Sequence, residues 1–307
     1  MTSARELEGV FPILATPFTD DYKIDVPSLR KLIHFQLEAK VDGISIFGNA
    51  SEMYALTEEE REHISKIVIE EVKGKVPVVF GTGATGIPQA VQLSQRAEKA
   101  GADALMVLPP YMVKPDSRRM YEYFAEIAVS VSLPIMMQDA PIASGVSIPV
   151  EVMAQLAEDY ENIQYVKVEA PPTTMKISEV LKKTDGRLKV FGGLNGMYLF
   201  EEIRRGAVGT MPACEFPEVC VSIFDLFKAG KEEEAKRHFY KHLPLIRMGT
   251  IAKYAMSVHK QILKDGGIIA SSAVRNPNVP MDASIKEELD LITKEINLLA
   301  LNGEVSI

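Results

Sequence analysis

The sequence predicts an α/β chain closed into a (β/α)8 barrel of the TIM type, with additional C-terminal helices. Three observations carry this. Short apolar runs alternate with longer amphipathic stretches eight times between Val10 and Ala213, the cadence of a parallel sheet with helical crossovers. The eight units are even and lack long insertions, which favours closure over an open doubly wound sheet. The chain has 307 residues, 47% of them hydrophobic, which is long for one compact domain unless the fold is a barrel.

The elements follow in order. Val10–Pro17 reads as the first strand. Val26–Lys40 reads as a helix, with Asp25 as its N-cap and Pro27 in its first turn. Gly43–Gly48 is the second strand. Thr57–Lys73 is a helix in which Thr57 and Glu60 fit a capping box and acidic residues fill the first turn. Strands at Val76–Gly81, Ala104–Pro109, Pro134–Ala140 and Ile163–Ala170 are followed by helices at Ile87–Lys99, Ser117–Val131, Pro149–Tyr160 and Thr174–Lys183. Lys189–Gly193 and Ala207–Ala213 complete the strands, with a helix over Met197–Arg205 between them. Residues 1–217 are taken as the barrel core. Residues 218–307 are taken as the last barrel helix and a helical extension packed beside it.

A formal net charge of -8 argues against nucleic acid or an anionic membrane as the main partner, because phosphate binding needs clustered Lys and Arg. The two cysteines, Cys214 and Cys220, form no disulfide framework and no metal spacing. The stretch MTSARELEGV lacks the basic and apolar regions of a secretory signal, and no apolar run is long enough to span a bilayer. A cytoplasmic protein is expected.

Chemistry in such barrels sits at the C-terminal ends of the strands. The sixth strand reads Ile163-Gln164-Tyr165-Val166-Lys167-Val168-Glu169-Ala170. Alternation puts Tyr165, Lys167 and Glu169 on one face and Val166 and Val168 on the other. The valines suit the layer between sheet and helices, so the polar set points into the barrel. Burying an ammonium costs several kcal/mol unless it is paired or neutral. Desolvation therefore exposes a nucleophilic amine. A structural Lys167–Glu169 ion pair is the alternative.

Several segments, in order, resemble one family. They are Phe11–Phe18 (FPILATPF), Gly48-Asn49-Ala50-Ser51-Glu52, Val78–Gly83 (VVFGTG), Leu108–Tyr111 (LPPY) and Lys167. They are similar to the dihydrodipicolinate synthase/N-acetylneuraminate lyase family of class I aldolases, over essentially the whole chain. The resemblance implies a Schiff base on Lys167 with a small 2-keto acid, no metal or other cofactor, and a homodimer or homotetramer. Asn49–Glu52 with Ala55-Leu56-Thr57, Pro134–Pro141 (PIMMQDAP) and Tyr165–Glu169 resemble the 2-keto-3-deoxy-arabonate dehydratase branch. Gln138 stands where the synthase and the sialate lyase have a proton-shuttling tyrosine, and an amide does not titrate in this range. Ala143 stands near the place of the synthase's carboxylate-binding arginine. Met112 stands where the synthase carries a tyrosine from a neighbouring subunit. The dehydratase branch has a second glutamate after strand seven, and here that place is Met197, following Asn195-Gly196.

The remaining candidates are weighed on their residues. Backbone N–H groups of Gly48, Asn49, Ala50 and Ser51, with the Ser51 hydroxyl, can hold a substrate carboxylate, or the segment is an ordinary turn. Glu52 can orient that loop. Tyr111, Gln138, Gly193 and Met197 are placed around the substrate, with Gln138 hydrogen-bonding substrate or an ordered water, and Tyr111 could equally be packing. Gly81-Thr82-Gly83-Ala84-Thr85-Gly86 lacks the Lys-Ser/Thr of a P-loop and reads as a tight turn. His238 and His242 are four apart, but the charged segment around them reads as a solvated helix face. Cys214 reads as a buried small side chain. The expected activity is a Schiff-base lyase, a 2-keto-3-deoxy-sugar-acid dehydratase in which Glu169 transfers the protons. A pyruvate-dependent aldolase or synthase and a non-catalytic keto-acid-binding barrel are the alternatives.

Overall fold

The computed structural model describes residues 6–302. Residues 1–5, at the start of the stretch read as lacking a signal, and 303–307, the tail of the helical extension, lie outside the described residues. The strands are β1 Gly9–Val10, β2 Ile44–Ile46, β3 Val78–Gly81, β4 Ala104–Val107, β5 Ile135–Asp139, β6 Ile163–Val168, β7 Lys189–Gly192 and β8 Gly209–Thr210. All pair in parallel, in the order β1-β8-β7-β6-β5-β4-β3-β2. Ile13 closes the ring by pairing with Ala213 on one side and Ser45 on the other. This is the predicted (β/α)8 barrel with additional C-terminal helices.

The first strand is much shorter than the expected Val10–Pro17. Pro12 has no N–H to give to a ladder. Its carbonyl still accepts from Ser45 N at 2.9 Å, and Leu14 N donates to Ser45 O at 2.8 Å. The backbone thus stays in the barrel wall although the regular ladder stops at Val10.

The helices between strands are α1 Val26–Glu38, α2 Glu58–Val72, α3 Ile87–Ala100, α4 Ser117–Ser130, α5 Pro141–Ser144, α6 Val150–Asp159, α7 Thr173–Lys183 and α8 Leu199–Arg204. The caps read from sequence are made. Asp25 accepts from Ser28 N, and both bonds of the Thr57/Glu60 box are present. The one-turn α5 was not expected, because a single turn carries no periodicity to read. After β8 come α9 Pro217–Lys228, α10 Glu232–Met248, α11 Ala255–Asp265 and α12 Ala283–Glu295. His242, expected on a solvated face of α10, is buried. Its Nδ1 lies 2.8 Å from the His238 carbonyl oxygen, and burial lowers the pKa of both rings. The charged residues around it occupy the outer side, while Phe239, His242 and Ile246 form the inner stripe. Among the described residues, no helix is long and apolar enough to cross a membrane.

Two apolar layers result. The larger lies between sheet and helices and holds Ile163, Val166 and Val168. The smaller fills the barrel with Phe11, Met106, Met136, Tyr165, Phe191 and Met211. Strict alternation would put Ile163 inside with Tyr165. A register shift between β5 and β6 pairs Ile135 with Ile163 but Met136 with Tyr165, leaving Gln164 as the extra, exposed residue. The shift sends Ile163 outward and keeps Tyr165 inside. Below the lysine, Tyr165, Phe191 and Phe11 meet edge to face, and Leu7 N donates to Tyr165 Oη at 3.0 Å.

Candidate active site

Above that aromatic floor lies a cavity of about 100 Å³, lined by Lys167, Glu169, Gln138, Asn49, Ala50, Asn195 and His259 among others. Strand register places Gln138 directly beside Lys167. Lys167 is 3% exposed. Its Nζ lies 3.4 Å from Glu169 Oε2. That carboxylate is fixed by other donors: Gln138 Nε2 donates to Oε2 at 2.8 Å and Leu194 N donates to Oε1 at 3.1 Å. Gly193 makes the room, since a Cβ there would overlap Glu169 Cγ.

A second buried lysine shows what a structural pair looks like. Lys260, on α11, is wholly buried, contacts the Glu52 carboxylate and donates to Ala273 O at 2.8 Å. Burial pushes its pKa down to about 8. Desolvation alone would nominate Lys260 as the nucleophile. Yet its amine is fully occupied, and it does not line the cavity. Lys167 has one long contact and an open side. Glu52 thus has an anchoring role: it is fully buried at φ 53°, and it also accepts from Arg275 N at 2.8 Å and Asn278 Nδ2 at 3.0 Å.

The loop after β2 divides. Asn49 and Ala50 line the cavity, and as the first residues of a 3-10 turn their amides have no acceptor within it. Ser51 does not reach the cavity. Its hydroxyl donates to Leu14 O at 2.6 Å and its amide to Gly48 O at 3.0 Å. Gly48 lies behind the wall, where a Cβ would come 2.8 Å from Ile13 Cγ2. Tyr111 is half-buried and outside the wall. Met197 packs into the sheet–helix layer instead, because the left-handed turn at Leu194 and Asn195 carries the chain outward. Asn195, two residues earlier, takes the place in the wall. Its Oδ1 accepts from Ala213 N at 2.9 Å and its Nδ2 donates to Ile246 O at 3.0 Å.

Two bland expectations hold. In the Gly81–Gly86 turn, a Cβ on Gly81 would overlap Phe47 O and one on Gly83 would come 2.5 Å from Leu108 N, so these glycines serve close packing. Cys214 is fully buried, its Sγ accepts from Ala15 N, and burial pushes its thiol up to about 12. Among the described residues, no three His, Cys, Asp or Glu side chains gather as a metal site.

A further carboxyl sits behind β7. Glu202 is fully buried, accepts from Thr173 Oγ1 at 2.7 Å, and would overlap a Cβ on Gly192. Burial, helped by the charges of Glu169 and Glu201, pushes its pKa from 4.5 up to about 8. Its folded value is above the unfolded one, so the native state holds an extra proton between these values and loses stability as pH rises through the window. Glu202→Gln is expected to be more stable than the wild type at pH 8.5, by on the order of a few kcal/mol, with the gap closing toward pH 5. Thermal melts across that range check this, and parallel curves would contradict it.

A barrel with its polar residues gathered above an apolar floor, at the carboxyl ends of its strands, has the layout of a (β/α)8-barrel enzyme. Within that class the chain belongs to the dihydrodipicolinate synthetase family, whose model matches residues 6–296. It is 29% identical to an L-2-keto-3-deoxyarabonate dehydratase of Azospirillum brasilense, covering 98% of each chain. It is 32% identical to a 4-hydroxy-tetrahydrodipicolinate synthase of Methanopyrus kandleri, covering 97% of this chain and 98% of that one. Among solved structures, a dihydrodipicolinate synthase from Rhodopseudomonas palustris superposes with a TM-score of 0.88 at 31% identity, over 94% of this chain and 98% of that one. YagE of Escherichia coli K12, solved in complex with pyruvate, gives 0.87 at 27%, over 94% and 98%.

Sequence reasoning missed Asn195, His259 and the other wall residues from the C-terminal part, Gly249 and Met256. Asn195 carried a usable signal, an Asn-Gly pair just past a strand end. His259 carried none, since a lone histidine on a helix after the last strand looks like packing.

Proposed function

We propose that the protein is a 2-keto-3-deoxy-sugar-acid dehydratase working through a Schiff base on Lys167, without metal or other cofactor. The observation that carries this is the Gln138–Glu169–Lys167 arrangement: one carboxylate beside the amine, held by an amide where a phenol would serve aldol chemistry. The Lys167 amine adds to the C2 ketone and water leaves, giving an iminium. Glu169 takes a proton from C3, and the C–H electrons form the enamine. The enamine pair then forms the C3–C4 double bond as the C4 hydroxyl departs as water. The amides of Asn49 and Ala50 receive the substrate carboxylate. The dehydratase relative in Azospirillum brasilense and the pyruvate bound by YagE support this reading. Synthase relatives at 31–33% identity favour a pyruvate-dependent synthase as the second reading. Parallel assays of water loss from 2-keto-3-deoxy-pentonates and -hexonates, and of condensation of pyruvate with aspartate semialdehyde, separate the two. The working unit is a homodimer or homotetramer, in which exposed Met112 and Val113 find cover. Light scattering checks this, and a monomer would contradict it.

Glu169→Gln is expected to keep Schiff-base formation and to slow turnover about 10²–10⁴-fold, the usual contribution of a general acid or base. Single-turnover trapping beside steady-state rates checks it. Unchanged turnover with lowered stability would make Glu169 a structural partner.

A further inference from the structure

We propose that His259, held by Glu215, delivers the proton to the hydroxyl leaving C4. The proposal rests on the dehydration reading above and names the second proton-transfer group that reading needs.

His259 lines the same cavity as Lys167 and Glu169 and is 3% exposed. Its Nδ1 is 2.7 Å from Glu215 Oε1, and since an ionised carboxylate only accepts, Nδ1 donates. Nε2 has no hydrogen-bond partner among the described residues. The ring is therefore fixed at one nitrogen and open at the other, so it exchanges protons with the cavity only at Nε2. Gly249 permits this placement, since a Cβ there would overlap Asn195 Nδ2 and come 2.5 Å from His259 Cε1.

A packing role explains the pair poorly. Glu215 is 1% exposed, and its Oε2 is buried without a hydrogen-bond partner among the described residues. Replacing a buried charged pair by apolar side chains of similar volume is commonly neutral or stabilising. A half-satisfied buried carboxylate holding a histidine at a cavity wall is instead the arrangement of an oriented proton carrier. Glu169 is poorly placed to do both transfers. Gln138 and Leu194 hold its carboxylate beside Lys167, within reach of C3 of a keto acid bound to that amine, whereas the C4 hydroxyl would be one carbon further from the Schiff base.

The step balances. The enamine pair forms the C3–C4 double bond, the C4–O bond breaks, and the departing oxygen takes the Nε2 proton of the His259 imidazolium and leaves as water, which leaves the ring neutral with its remaining proton on Nδ1. His259 regains a proton from solvent, and Glu169 returns the C3 proton to solvent.

The test compares wild type, His259→Ala and Glu215→Gln on a 2-keto-3-deoxy acid and on its 4-fluoro analogue, whose leaving group departs without a proton. Deuterium exchange into the pyruvate methyl group reports the Lys167–Glu169 chemistry separately. For His259→Ala we expect kcat for water loss to fall about 10²–10³-fold with little change in KM, and elimination from the fluoro analogue to stay within about tenfold of wild type. Methyl exchange is expected to persist. Glu215→Gln, which can still accept from Nδ1, is expected to show a smaller loss with the same dependence on leaving group. Full water-loss activity in His259→Ala overturns the proposal, as do equal losses on both substrates. A wild type that dehydrates no 2-keto-3-deoxy acid overturns the dehydratase reading and this proposal with it. A wild type that dehydrates, with a silent His259, overturns this proposal alone.

Discussion

Lys167→Arg is expected to abolish turnover of every 2-keto acid while leaving the barrel folded. Arginine keeps the positive charge beside Glu169, so the carboxylate is not left unpaired in the cavity. Its guanidinium stays protonated and cannot add to a ketone. The expected loss is on the order of 10⁴–10⁶-fold, the scale seen when a covalent nucleophile is removed. The larger side chain must fit above Tyr165 and Phe191, at a cost of about 1–3 kcal/mol, which a barrel of this size tolerates. Lys260→Arg is the control. Lys260 is buried against Glu52 and the Ala273 carbonyl, away from the cavity. Its replacement should lower the melting temperature, and the folded fraction should still form the Schiff base. Steady-state rates and melts of both variants check this. An active Lys167→Arg enzyme would contradict it.

Condensation of pyruvate with aspartate semialdehyde is expected to be slower than water loss from a 2-keto-3-deoxy acid by many orders of magnitude. In the synthases that this chain resembles, a tyrosine shuttles protons and an arginine recognises the second substrate's carboxylate. The sequence resemblance puts Gln138 at the tyrosine's place, and Gln138 donates to Glu169. Ala143 lies exposed on α5, near the arginine's place, and offers no donor. Each lost function is worth roughly 2–5 kcal/mol, so losing both corresponds to a rate deficit of about 10³–10⁷-fold. The coupled assay, run beside the dehydratase assay on the same preparation, gives the ratio directly. Robust synthase turnover without dehydration would reverse the assignment and place the shuttle on another residue.

The barrel was legible because its signals are local and repeated. Asp25, the Thr57/Glu60 box and the apolar runs each act over a few residues, and eight repetitions leave few alternatives. The inward face of β6 was legible for the same reason. The two valines declare the outer layer, so Tyr165, Lys167 and Glu169 must face in. The bulge at Gln164 was not legible, since it depends on register with β5. The rest of the wall was hidden because it is assembled from distant segments. Glu215 and His259 are 44 residues apart, and Asn195 meets Ile246 across 51. Ser51 was misplaced by one layer, and Met197 stands two residues past Asn195, the wall residue. Such errors follow where a 3-10 turn or a left-handed residue turns the backbone, because neither has a side-chain period to read. Lys260 shows the opposite hazard, a buried lysine with a lowered pKa that is paired with Glu52 and does not line the cavity.

Lys167 is expected to form a covalent imine with a 2-keto acid. The most direct measurement is borohydride reduction of the wild-type chain in the presence of pyruvate and of 2-keto-3-deoxy acids, followed by intact mass and peptide mapping. One reduced keto acid per chain is expected, carried by the peptide containing Lys167 and lost in Lys167→Arg. An adduct on Lys260 or another lysine, or no adduct with any 2-keto acid, would contradict it.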